Sequence, residues 1–204
     1  MLDPLMRRLI DPPLNAAARR WPSTITANQI TAFGFTLGVV SFACVAFGAF
    51  ELALVLLLIN RLGDGLDGAV ARQNGATDLG AYLDIVADFL LWSILPLGFL
   101  LYDGANAVAA AVLLSSFAMS MVVFLAFAIL AEKRGVSTDA QGKKSFFYMA
   151  GLAEGTETIG FFVIVMIWPT IFIPAAYGFA LLVYLSVIGR VIVSVKSLQE
   201  TVDE

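Results

Sequence analysis

The sequence predicts an all-α, polytopic integral membrane protein: six transmembrane helices preceded by an N-terminal amphipathic interfacial helix. Three observations carry this. Of 204 residues, 60% are hydrophobic and only 14% charged, with a mean hydropathy of +0.89; a soluble domain of this size could not solvate such a surface. Apolar runs long enough to cross a bilayer recur between short breaks. The basic residues fall on one side of those breaks only. One membrane domain spanning 1–204 follows, with 1–22 as leader and 27–195 as the bundle.

In the leader, Leu2, Leu5, Met6 and Leu9 recur at i, i+3, i+4 and i+7 beside Arg7 and Arg8. That stripe predicts an amphipathic helix lying on the cytoplasmic leaflet rather than a disordered basic leader or a secretory signal. Pro12-Pro13 is expected to end or bend it. The spans are placed near 27–49, 51–72, 78–101, 106–131, 147–168 and 172–195. Gly48 to Glu51, Asp103-Gly104 and Pro169 to Pro174 make three short breaks without Lys or Arg. Arg7, Arg8, Arg19, Arg20, Arg72, Lys133, Arg134, Lys143, Lys144 and Lys196 all flank the other side. The excess of positive charge puts both termini and the 132–146 loop in the cytoplasm. Only Arg61 and Arg190 fall inside predicted spans, so each needs an ion pair, a ligand or a route to the surface. The single cysteine, Cys44, can form no internal disulfide, and the absence of histidine argues against zinc and haem sites. Nothing points to a nucleic-acid partner.

Four aspartates, Asp64, Asp67, Asp84 and Asp88, stand in spans two and three. A carboxylate at membrane depth is costly and is kept for a function or balanced by a cation. The first pair is spaced i,i+3 and the second i,i+4, so each shares a helix face. Counted from Arg72 and Asp78, Asp67 and Asp84 come level at roughly 8 and 9 Å, with Asp64 and Asp88 deeper, at roughly 12 and 15 Å. The four can therefore line one cavity in the cytoplasmic half of the bilayer, and two divalent cations would balance them. Hard oxygen donors favour magnesium, with manganese as the alternative. Gly63, Gly65 and Gly68 surround the first pair and imply close approach to that backbone, by a phosphate ligand or by another helix. Arg72, one turn beyond Gly68, could meet an anion. Gly34 with Gly38, and Gly151 with Gly155, read as helix-packing seams.

Asp64-Gly-Leu-Asp67-Gly68-Ala-Val-Ala71-Arg72, seven residues, then Gly80, Asp84 and Asp88 resembles the signature of the CDP-alcohol phosphotransferases, D-x2-D-G-x2-A-R followed by G-x3-D-x3-D. All eight fixed positions match. The spacer, often eight residues in that family, is one shorter and falls in the predicted turn. The leader and six spans extend the resemblance over nearly the whole chain. It implies transfer of a phosphatidyl group from CDP-diacylglycerol to the hydroxyl of a small polar alcohol, with release of CMP, at the bacterial inner membrane and in a homodimer. It also implies that Asp64, Asp67 and Asp84 are metal ligands, and that Asp88 is a ligand or near-ligand and the base for the acceptor. Gly68, Ala71 and Arg72 would lie against the nucleotide and diphosphate. Asn28 and Thr31, at the start of span one, sit where family members often carry Pro-Asn and a Thr beside the nucleotide, although Ala27 replaces the proline here; the alternative for Asn28 is a helix cap.

The acceptor is read from the second half. Lys144 and Arg190 are the candidates for an acceptor phosphate, since members using phosphorylated acceptors place basic residues there; glycerol 3-phosphate or another phosphorylated polyol is the first expectation. Lys143 and Lys144 are equally accounted for as an ordinary positive flank. Glu154 and Glu157, expected well inside a helix starting near Ser145, could pair with Lys144, Arg61 or Arg190, or hold the hydroxyls or amine of an unphosphorylated alcohol. The stretch from Lys144 to Ile159 also resembles a subgroup of bacterial inner-membrane members of the family. Outside this class, a divalent-cation transporter would need polar residues in both halves of the membrane, and an inactive scaffold would tolerate loss of an aspartate. Neither pattern is present. A prenyl-transferring enzyme would carry paired Asp-rich motifs on separate helix pairs.

Overall fold

The computed structural model describes residues 3–133 and 154–200, and among these the chain is wholly helical. Seven α-helices follow in order: α1 (Asp3–Ala18), α2 (Ala27–Ala46), α3 (Phe50–Asn74), α4 (Asp78–Tyr102), α5 (Ala107–Lys133), α6 (Gly155–Ile167) and α7 (Phe172–Glu200). Short 3-10 turns at Gly104–Asn106 and Pro169–Ile171 carry the chain into α5 and α7. The starts are set by local chemistry. Thr26 caps α2 in a reciprocal box with Gln29, the Thr26 hydroxyl accepting from the Gln29 N–H and the Gln29 side-chain Oε1 accepting from the Thr26 N–H. Thr77 caps α4 by accepting from the Gly80 N–H. Between α3 and α4 the chain reverses at Gly75, whose φ of +96° a side chain would strain.

α2, α4, α5 and α7 are each long and apolar enough to cross a membrane, and α6 is a shorter apolar helix. The 25 residues of α3 are long enough, but Glu51, Arg61, Asp64, Asp67 and Arg72 lower its apolarity. α2 packs on both α3 and α4, α5 packs on α4 and α7, and α3 also meets α1 and α6. One apolar core runs through the bundle, with Val45, Leu57, Leu91, Leu95, Phe99, Leu113, Phe162 and Phe172 fully enclosed. Stacked rings tie the helices across it: Phe99 on Phe172 at 4.2 Å, Trp92 on Phe162 at 5.7 Å and Phe161 on Phe179 at 4.8 Å. A smaller cluster of Ala18, Ile30, Ala69 and Val70 joins α1, α2 and α3.

Two expectations are corrected. Of the end or bend expected at Pro12-Pro13, the end is absent: α1 stays helical to Ala18. The two prolines each remove a backbone bond, and packing of the following turn on α3, through Leu14 and the buried Ala18, offsets that. α7 starts at Phe172 as placed, and Pro174, the far edge of the third break, lies in its first turn, where a missing N–H costs nothing. Glu154 is the N-cap residue of α6 rather than a residue well inside a helix, and its N–H donates to Glu157 Oε2 at 3.1 Å. The first part of the 147–168 span, most of the 132–146 loop, Gly151, and Lys143 and Lys144 lie outside the described residues.

Candidate active site

α3 brings Asn60, Arg61, Asp64 and Asp67 toward α2 and α4, and α4 answers with Asp84 and Asp88. Asp67 is the most enclosed carboxylate, 4% exposed. Its Oδ2 accepts from the Thr31 hydroxyl of α2 at 2.5 Å. Thr31 is thus joined to the aspartates, as a partner of Asp67. Asp64 and Asp88 are half-buried and share Arg61: its Nη1 lies 2.7 Å from Asp88 Oδ1 and 3.8 Å from Asp64 Oδ2. Asp84 is exposed on α4 and feels the charges of Asp64 and Asp88. A small cavity between the helices is lined by Thr31, Gly34, Phe35, Asn60, Arg61, Asp64, Asp67 and Ala87.

Arg61 is held from three directions. Besides Asp88, its Nε donates to Asn60 Oδ1 at 2.7 Å, and its guanidinium lies 4.9 Å from the Trp92 ring centroid. Asn60 is itself buried and donates from Nδ2 to the Gly34 carbonyl at 2.8 Å. Sequence reasoning missed Asn60 and Trp92. A signal for both was present: Asn60 precedes Asp64 by four residues and Trp92 follows Asp88 by four, the same-face spacing on each helix.

The glycines divide between packing and access. Gly34 and Gly63 put α2 and α3 backbone in contact, and a methyl on Gly38 would press into Leu91 and Asn60. One on Gly65 would strike Leu14 of α1 at 2.5 Å. One on Gly68 would meet only the Arg72 guanidinium, at 3.4 Å. Of the three glycines around the first aspartate pair, Gly63 and Gly65 therefore serve helix packing and Gly68 borders open space. Gly80 is also tight: a methyl there would lie 3.0 Å from Asn28 Oδ1 and 3.1 Å from Thr77 Oγ1. Asn28 does not cap α2, since Thr26 does; its side chain turns to the start of α4 instead. Ala71 is half-buried and Arg72 exposed on the last turns of α3.

Arg190 of α7 is half-buried. Its Nη1 donates to Ser120 Oγ of α5 at 3.0 Å, its Nε is buried without a hydrogen-bond partner among the described residues, and Glu154 is near enough to attract it.

With the side chains as they stand, no three acids among the described residues are grouped to hold an ion; Arg61 and Thr31 engage three of the four. The donor set nevertheless fits a hard divalent cation. It consists of oxygens only, and with the four acids ionised Arg61, the arginine that Asp64 and Asp88 share, balances one charge of four.

These features define a class, an integral membrane protein of packed helices with an acidic cleft spanning two of them. The family model described as CDP-alcohol phosphatidyltransferase matches residues 24–192, and the chain belongs to that family. It is 41% identical over 204 residues to inner membrane protein YnjF of Escherichia coli, covering 98% of this chain and 99% of the relative. A 64-residue stretch, 31% of this chain and 15% of the relative, is 50% identical to the bifunctional IPC transferase and DIPP synthase of Aquifex aeolicus. The fold is similar to that of Mycobacterium tuberculosis phosphatidylinositol phosphate synthase in complex with manganese and citrate, with a TM-score of 0.66 and 21% identity over 89% of this chain and 87% of that one. The same synthase with CDP-DAG bound aligns with a TM-score of 0.57 and 22% identity over 94% and 92% of the two chains.

Proposed function

We propose that this protein transfers a phosphatidyl group from CDP-diacylglycerol to the hydroxyl of a small polar alcohol and releases CMP. The observation that carries the reading is the juxtaposition of four carboxylates across α3 and α4 with the open backbone at Gly68. Asp64, Asp67, Asp84 and Asp88 would hold magnesium or manganese, two ions when the site is full. Bound there, the metal supplies neutralisation of the diphosphate and of charge developing at phosphorus. Thr31 fixes the Asp67 carboxylate through its hydroxyl. Gly68, Ala71 and Arg72, with Asn28 across the cleft, border the space for nucleotide and diphosphate. Asp88 Oδ2, the oxygen that Arg61 does not hold, takes the proton of the acceptor hydroxyl. The acceptor oxygen then bonds to the phosphorus carrying diacylglycerol as that phosphorus loses its bond to the oxygen retained by CMP.

Arg190 favours a phosphorylated acceptor such as glycerol 3-phosphate, because a partly buried guanidinium whose Nε has no hydrogen-bond partner among the described residues suits a phosphate oxygen. Lys144 belongs to the same reading. Glu154 and Glu157 at the start of α6 favour an amino alcohol or an unphosphorylated polyol. In the membrane we read six spans, α2 to α7, with α1 on the cytoplasmic leaflet of the inner membrane. Leu9 of α1, 66% exposed, supports this by facing away from the bundle. Both termini and the cleft face the cytoplasm, and the unit is a homodimer.

The test is CMP release from CDP-diacylglycerol by purified protein in detergent with magnesium, against glycerol 3-phosphate, inositol phosphate, inositol, serine, glycerol, choline and ethanolamine. Stimulation by one acceptor establishes reaction and substrate together. Absence of both CMP release and CDP-diacylglycerol binding would return the transporter and the inactive scaffold to the front.

A further inference from the structure

Arg61 sits among the carboxylates proposed as metal ligands, where a bound cation would be expected. Its Nη1 contacts Asp88 Oδ1 at 2.7 Å and approaches Asp64 Oδ2 at 3.8 Å, and its side chain is only 11% exposed. Asn60 Oδ1 fixes the Nε, and the Trp92 ring, itself stacked on Phe162 of α6, lies beside the guanidinium. An arginine held by a carboxylate, an amide and an indole in a low-dielectric setting is not a loose surface charge, and displacing it from Asp88 leaves a buried cation without its closest counter-charge. The charges sharpen the point. With all four aspartates ionised, as metal ligands must be, Arg61 leaves them a net of three negative charges. One divalent cation reduces that to one. A second would make the cluster positive, unless an anion arrives with it. The diphosphate of a CDP-linked donor is such an anion.

We infer that Arg61 is a resident cation that occupies the second metal's share of Asp88 and Asp64, so that the donor-free protein binds one divalent ion tightly and takes the second only together with an anionic diphosphate. This rests on the four aspartates being metal ligands, as proposed above. Arg61 is thereby a positioning residue: it halves the charge of the deep pair of carboxylates and keeps them in place before the donor binds, and it couples full metal loading to donor binding. Asp67 and Asp84, which Arg61 does not touch, remain for the first ion.

The test is Mn2+ binding to purified protein in detergent, measured by titration calorimetry and by the electron paramagnetic resonance of free Mn2+, first without nucleotide and then with CDP. Wild type should bind one tight ion alone and two with CDP. Arg61→Gln should bind a second ion without CDP, or bind it tighter than wild type by at least about tenfold; Arg61→Lys should stay close to wild type in stoichiometry. Trp92→Leu, which loosens Arg61 without removing a charge, should move second-ion affinity in the same direction as Arg61→Gln but less, and keeps the test valid if Arg61→Gln does not fold. Two equally tight ions in donor-free wild type, or identical titrations for wild type and both loosening variants, would overturn the inference while leaving the metal site intact. No Mn2+ binding in any of them, with or without CDP, would overturn the metal-site reading on which it depends.

Discussion

Asp67 is buried where an ionised carboxylate needs a donor, and Thr31 supplies it from another helix. Thr31→Val keeps the side-chain shape and removes the hydroxyl. It should cost about 1–3 kcal/mol, read as a lower thermal midpoint in detergent, and should weaken metal-dependent CDP binding. An unchanged midpoint would mean that Asp67 finds another donor. Asp88→Asn keeps the size of the side chain and its Oδ1 partner for Arg61 but cannot take a proton. Turnover should fall by roughly 10²-fold or more while CDP-diacylglycerol affinity stays largely intact, and normal turnover would remove Asp88 from the base role. At this scale the sequence was readable where a residue's meaning is local. The aspartate spacing and Gly68 follow from helix periodicity and the motif. The Thr31–Asp67 and Arg61–Asp88 pairs join residues far apart in the chain, and only packing of α2, α3 and α4 reveals which acid each one holds.

Helix α3 shows how one element serves packing and access on different glycines. Gly65 faces Leu14 of α1 and Gly68 borders open space beside Arg72, three residues apart. Gly65→Ala should displace Leu14 and loosen α1, an overpacking cost of about 1–3 kcal/mol that offsets the helix-propensity gain. Gly68→Ala should raise stability by up to about 1 kcal/mol, since it adds helix propensity in open space, yet weaken donor binding. Thermal midpoints and CDP-diacylglycerol affinities of the two variants should therefore move differently, and parallel behaviour would contradict the division. The sequence could report that three glycines surround the acids but not which neighbour each accommodates. The same limit explains α1 and α6. Proline chemistry alone ends α1 at Pro12, whereas contact with α3 carries it to Ala18. Hydropathy alone runs through Glu154, whereas backbone hydrogen bonding begins α6 there.

For the whole molecule, apolar runs set the helix limits with little tertiary information: α2 to α5 and α7 start or end within a few residues of the expected limits. Gly104, on the side without basic residues, should be labelled by a membrane-impermeant thiol reagent from outside the cell when replaced by cysteine in a Cys44→Ala background, and Asn74 only after the membrane is opened. The reverse pattern would invert the cleft. Ring stacking from Trp92 to Phe162 links the aspartate cleft to α6, so the half of the chain that carries Glu154 and Glu157 is mechanically joined to the half that carries the motif. The most direct measurement follows the phosphorus. With CDP-diacylglycerol labelled in the phosphate that adjoins diacylglycerol, a cognate acceptor and magnesium, the label should pass into a new lipid product while the released CMP stays unlabelled, and Asp88→Asn should abolish the transfer. Label released with the nucleotide, or a lipid pool that no acceptor changes, would contradict phosphatidyl transfer as the function of this site.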